Sequence, residues 1–159
     1  MSPVQTILTG GLVMGSIDIL KNIVFLSYQG RPWTFVLHYV AGAAIGREAA
    51  FAGGLPTAML GLFFHFLIAF TAFTAYYLAS RKLPVLIRHP FLCGPAFGIA
   101  VFCFMRFVVI PLSTIGWPRN PPSAIIDGVL THILCVGLPT SLIVREAARR
   151  NAPVAGSAH

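Results

Sequence analysis

The chain has 159 residues, of which 57% are hydrophobic, 12% aromatic and only 9% charged. That charge density is about a third of a soluble domain's, which excludes an ordinary water-soluble globule, and the hydrophobicity excludes a disordered chain. Lys and Arg number 11 against 4 acidic residues, a formal charge of +7. They stand singly or in pairs between long apolar runs, so they are read as charges flanking membrane spans and not as a nucleic-acid interface.

A helix must cover about 30 Å of hydrocarbon at about 1.5 Å per residue. The first run long enough is 6–28. No basic residue precedes Lys21 and no small-residue cleavage pattern follows it, so a retained helix is expected here in place of a secretory signal. Gly11 and Gly15 form a G-x-x-x-G pattern suited to close helix packing. Residues 32–46 are apolar but too short for a normal crossing, and open on Arg31-Pro32-Trp33. They predict an interfacial or re-entrant helix, a fifth short span being the alternative.

The second span is expected over 55–79, after the Gly53-Gly54 turn, and the third over 91–113, with a second G-x-x-x-G at Gly94 and Gly98. The fourth is expected over 123–144. Pro95, Pro111 and Pro139 predict kinks or breaks. The expected fold is an all-α polytopic membrane protein: one domain over 1–150 with four transmembrane helices and the short helix between the first two. Residues 151–159 are expected to form a disordered tail.

Four spans gather Arg81, Lys82, Arg88, Arg145, Arg149 and Arg150 on the side of the termini, against Arg31, Arg47 and Arg119 on the other. The positive-inside rule then predicts both termini in the cytoplasm, with Trp33 and Trp117 at the outer interface. Cys93, Cys103 and Cys135 lie in apolar stretches without C-x-x-C spacing, which suggests neither a disulfide framework nor a zinc site.

Six ionisable residues fall inside the spans: Asp18, Lys21, His65, Arg106, Asp127 and His132. A mid-helix Asp, Lys or Arg costs about 2.5 to 3.5 kcal/mol, and each Leu, Ile, Val or Phe returns only about 0.3 to 0.6. The first span is therefore marginal alone: its aliphatic and Phe residues offer roughly 5 kcal/mol against roughly 6 for Asp18 and Lys21. Alternating span direction places Lys21, His65, Arg106, Asp127 and His132 near the midplane or in the outer half, with Asp18 about one turn deeper than Lys21, so one layer of the bundle could collect them. Helical phase sets Asp18 on the small-residue face with Asn22 one turn on, and His65 on a stripe with Ala58, Gly61, Ala69 and Ala72. Lys21 lies about 60° from Asp18, close enough for a same-helix pair, and Asp127 is the expected partner of Arg106. Such charges mark function or simply clamp helices together, and both readings stand at this stage. His38 and His89 read as interfacial residues outside the layer.

The run Phe107-Val-Val-Ile-Pro-Leu-Ser113, a Trp-Pro loop, Asp127-Gly-x-x-x-His132 and Val144-Arg-Glu-Ala-Ala-Arg149 together resemble the C-terminal half of YagU-like bacterial inner-membrane proteins, over roughly 50 residues. The segment Ala52-Gly-Gly-Leu-Pro-Thr-Ala-Met-Leu-Gly-Leu-x-x-His65, continuing to Tyr76-Tyr-Leu-Ala-Ser-Arg-Lys-Leu83, is similar to small four-span bacterial proteins. This resemblance implies an inner-membrane helical protein with a histidine, His132, in its fourth span. It implies no reaction.

Three functions are compatible with these residues. The polar layer could bind or pass protons, ions or a small polar solute, since histidines near carboxylates change charge between about pH 5 and 8. The chain could be a non-catalytic subunit or assembly factor of a membrane complex, or a homo-oligomer, with the polar residues fixing helix register. His65 and His132 could also be the axial ligands of a b-type haem. Otherwise no cofactor or metal is suggested, and the expected partner is the lipid bilayer, with no nucleic acid. No G-x-S-x-G, H-E-x-x-H or P-loop pattern supports an enzyme.

Overall fold

The computed structural model describes residues 2–117 and 120–151. It is helical, and among the described residues four helices are long and apolar enough to cross a membrane: Pro3–Tyr28, Gly54–Lys82, Pro90–Leu112 and Pro122–Arg150. The expected tail beyond Asn151 and the outer-side charge Arg119 expected from the sequence lie outside the described residues.

The first helix, α1 (Pro3–Tyr28), starts earlier than the hydrophobic run because its cap is polar. Ser2 accepts from the Gln5 backbone N–H, the Gln5 side chain accepts from Ser2 N–H, and Pro3 takes the first helical position. The apolar segment 32–46 forms α2 (Phe35–Ile45), an 11-residue helix that reaches only about 16 Å. That is about half of the hydrocarbon thickness. A one-turn bend at Gly46, φ +90°, leads into α3 (Arg47–Ala52), and Gly54, φ +61°, opens α4 (Gly54–Lys82). Both glycines hold left-handed backbone that a side chain would strain. α2 is pressed against α4, where a methyl group on Gly61 would collide with the Leu37 carbonyl. Its far end is tied to the end of the third span by the Thr114 hydroxyl, which donates to the Gly42 carbonyl.

α4 runs to Lys82, and a short α5 (Val85–Arg88) precedes α6 (Pro90–Phe104). The third span continues through a π-helical turn, Met105–Val109, into α7 (Ile110–Leu112). The fourth is built the same way: α8 (Pro122–Thr131), a π turn His132–Gly137, then α9 (Leu138–Arg150). Each π turn lies just before a proline, Pro111 or Pro139, whose missing N–H and ring clash upset the α ladder one turn upstream. Pro95, by contrast, sits inside α6 without ending it. The last helix outlasts its apolar run because Glu146 pairs with Arg149 (3.6 Å) and Arg150 (2.8 Å) on one face.

Both glycine patterns are packing sites, of different kinds. Gly10, Gly11 and Gly15 of α1 make room for the rings of Phe73, Phe70 and Phe66 on α4. Gly94 and Gly98 instead let two backbones touch: a methyl on Gly94 would stand 3.0 Å from the Gly137 carbonyl oxygen, and one on Gly98 would stand 2.9 Å from Ile133 Cα. Ser141 Oγ locks this contact by donating to the Pro90 carbonyl at 3.0 Å. Around it, Met14, Phe73, Tyr76, Val136 and Val144 fill the half of the bundle on the termini side. The opposite half has a smaller packed group, Ile19, Leu37 and Ala58. It also holds a cavity.

Candidate functional site

The cavity has a volume of about 450 Å³ and is walled by α1, α2, α4, the third span and the fourth. Most of its wall is apolar, from side chains such as Val40, Phe64, Ile68, Phe102 and Ile110. Four of the six intramembrane ionisable residues line it: Asp18, His65, Arg106 and His132. Lys21 and Asp127 do not line it and form a separate pair. The single expected layer is therefore two neighbouring groups.

Asp18 stands on the glycine face of α1, and its carboxylate accepts from the Asn22 side-chain amide at 3.3 Å. His65 Nδ1 lies 4.0 Å from Asp18 Oδ2, with side chains only 12% and 16% exposed. The other ring nitrogen, Nε2, is 2.8 Å from the Gly15 carbonyl oxygen. A carbonyl only accepts, so Nε2 carries the hydrogen and Nδ1 is the atom that gains or loses a proton. Facing Asp18, a bare Nδ1 would set a lone pair against a carboxylate. One proton on the pair removes that opposition, either as imidazolium beside carboxylate or as imidazole beside carboxylic acid.

His132 is held in the opposite sense. Its Nδ1 lies 2.8 Å from the Gly128 carbonyl oxygen one turn back, so Nδ1 donates and Nε2 is the titratable atom. The edge of its ring meets Phe102 at a centroid distance of 5.4 Å. His65, His132 and Lys21 all act electrostatically on Asp18, whereas Arg47 and, less strongly, Arg106 of the first π turn act on Tyr39 of α2.

Two expected pairings are corrected. Lys21 does not pair with Asp18, and Asp127 is not the partner of Arg106. Lys21 Nζ instead lies 2.7 Å from both carboxylate oxygens of Asp127. Two side chains three residues apart diverge by about 60° around their helix, whereas a fourth span packed beside α1 lets Asp127 meet the ammonium head-on. The Lys21 stem also crosses Phe25, with Nζ 4.4 Å from the ring centroid. His38 is buried, not interfacial: its Nε2 donates to the Gly54 carbonyl at 2.9 Å and its ring packs on Phe51, so it pins α2 to the start of α4.

For paired axial ligation of a haem, both histidines must offer a ring nitrogen to one centre. His132 has the orientation of an axial ligand, Nδ1 donating to a carbonyl and Nε2 remaining. His65 presents Nδ1 to a carboxylate while Nε2 is engaged by Gly15. Among the described residues, no group of three or more His, Cys, Asp or Glu could hold a metal ion.

Sequence reasoning did not identify the wall supplied by α2, with Val36, Tyr39 and Val40, or the contribution of Asn120. The usable signal was the run 32–46, too apolar for an exposed loop and too short to span. No protein-family model, curated protein or solved structure matches the chain.

Proposed function

We propose that this protein is a multi-pass bacterial inner-membrane protein, with both termini in the cytoplasm, whose outer-half cavity binds a small solute together with a proton. The observation that carries the reading is the Asp18–His65 pair: two titratable groups 4.0 Å apart on the wall of a cavity, with the imidazole fixed by Gly15 so that its proton-exchanging atom faces the carboxylate. Such groups inside a helical bundle are costly unless they serve each other or a ligand. The excess of Lys and Arg in the segments on the termini side supports the orientation.

The test is histidine titration by NMR on protein labelled at its imidazoles, combined with proton flux in liposomes. His65 should titrate, and Asp18→Asn should move its titration midpoint. Flux should depend on pH and fall in His65→Ala. Titration indifferent to Asp18→Asn, together with no flux, would overturn the reading.

One observation favours a second reading, a subunit of a larger assembly or a homo-oligomer. The Lys21 and Asp127 side chains remain 27% and 29% exposed between outward-facing Leu20, Val24, Ile126 and Leu130. An ion pair placed there gains from a covering helix. Crosslinking through cysteines introduced at Leu20 and Ile126 in native membranes distinguishes the two: products of monomer mass alone count against it.

A further inference from the structure

Lys21 and Asp127 meet where α1 borders the fourth span, about 10 Å back along α1 from Tyr28 and about 8 Å into the fourth span from Pro122. Their side chains are still 27% and 29% exposed. Leu20 and Val24 on α1, with Ile126 and Leu130 on the fourth span, face outward around them and are exposed over half their surface or more. The result is an apolar face that carries one cation and one anion side by side at one depth.

This patch is incomplete in hydrogen bonds. The Lys21 ammonium donates to both Asp127 oxygens at 2.7 Å. A third N–H remains on the ammonium and an outer lone pair on each carboxylate oxygen, with no further hydrogen-bond partner among the described residues. Acyl chains offer neither donor nor acceptor, so lipid leaves both unmatched. A protein face that covers the patch must bring an acceptor opposite Lys21 and a donor opposite Asp127, at the same depth.

The chain itself carries such a face. Two copies inserted in the same sense are related by a two-fold axis along the membrane normal, the commonest symmetry of a pair. Rotation about that axis preserves depth and exchanges left and right. With the axis between the two charges, Lys21 of each copy meets Asp127 of the other. The spare N–H finds a spare lone pair, twice, and four groups close a square of alternating charge. A lone ammonium or carboxylate on the same face would meet its own kind across the axis, whereas a neutral pair at one depth is self-complementary.

We infer that this face joins two copies of the chain in a parallel two-fold dimer, with Lys21 of each against Asp127 of the other and Leu20, Val24, Ile126 and Leu130 packed around them. The dimer contact rests on the second reading above, that a covering helix seals the pair, and is independent of the cavity and its proton.

The experiment is disulfide crosslinking of the full chain in native membranes, with Cys93, Cys103 and Cys135 replaced by alanine. Leu20→Cys is placed on a copy with one affinity tag and Ile126→Cys on a copy with another. Products of twice the monomer mass should carry both tags. The charges are then exchanged within a copy, Lys21→Asp with Asp127→Lys, which keeps the contact between α1 and the fourth span. Exchanged copies should crosslink with each other as well as copies with the original charges do. Mixed with the latter they oppose like charges across the axis, so mixed products should fall at least about tenfold. A pair that acts only within one chain would show no such sorting. Lys21→Glu and Asp127→Lys supply the converse: each alone sets four like charges around the axis and should lose crosslinking at least about tenfold, and coexpression of the two should restore it.

Mixed products as abundant as like-with-like products overturn the two-fold charge contact. So does loss of crosslinking in the exchanged copies that coexpression of Lys21→Glu with Asp127→Lys also fails to restore. Crosslinks only to a protein of another mass overturn the second copy and leave the second reading standing, whereas monomer mass alone overturns both.

Discussion

Replacing Lys21 by leucine leaves the Asp127 carboxylate with no ammonium at 2.7 Å, on a helix face beside hydrocarbon. A single unmatched charge at mid-helix costs about 2.5 to 3.5 kcal/mol on insertion scales, and losing one partner of a buried pair costs about 3 to 5 kcal/mol. The side chains here are 27% and 29% exposed, so part of that cost is relieved by reorientation toward headgroups or water. Each single variant, Lys21→Leu and Asp127→Leu, should therefore lose about 2 kcal/mol, below the buried-pair range. The double variant removes both charges and should lose only about 1 to 2 kcal/mol, which gives a coupling of about 2 to 3 kcal/mol. Unfolding in mixed micelles, followed by far-ultraviolet circular dichroism at neutral pH, measures all four corners of this cycle. Additive single effects, within about 0.5 kcal/mol, would refute the claim that the pair holds α1 to the fourth span.

Three further outcomes follow from packing and capping. Gly94→Ala and Gly137→Ala each place a methyl group against backbone that cannot rotate away, and each should cost about 1 to 3 kcal/mol in the same unfolding assay; an effect below about 0.5 kcal/mol would contradict the backbone contact. Thr114→Val removes the hydroxyl that ties the third span to the end of α2, and should raise hydrogen exchange across Phe35–Ile45 with a stability loss of about 1 kcal/mol. His38→Phe keeps the ring but removes the bond from α2 to the Gly54 carbonyl, which still accepts from Thr57 Oγ1, so it should destabilise the α2–α4 junction by about 0.5 to 1.5 kcal/mol in the same unfolding assay.

The four spans were legible because crossing a bilayer is a length requirement, and uninterrupted apolar runs meet it without reference to any neighbour. Their ends were less legible. The Ser2 capping box and the Glu146 pairs extend α1 and α9 through polar residues that a hydropathy reading leaves outside. For the site, phase on one helix identified Asp18 and His65 as inward-facing, because glycines and alanines share their stripes. Phase says nothing about which helix stands opposite, and both ion-pair partners were misassigned for that reason. The choice between Arg106 and Lys21 as partner of Asp127 depends on how closely the third and fourth spans approach along Gly94, Gly98 and Gly137, a tertiary distance. The role of α2 escaped for a related reason: an 11-residue helix becomes a cavity wall through tertiary contacts such as those with Gly61, Gly54 and Thr114.

The two π turns place Arg106 and His132 where the main-chain hydrogen-bond ladder is already out of α register. A π turn amounts to one extra residue in the helix, so side chains upstream and downstream of it are offset by about 100° of rotation. Migration of the first bulge by a single position would swing Arg106 around the helix barrel while the seam at Gly94 and Gly98, earlier in the same span, stays closed. Arg106 thus has a route to reorient that leaves the rest of the bundle in place, whereas the turn that carries His132 is held by the seam.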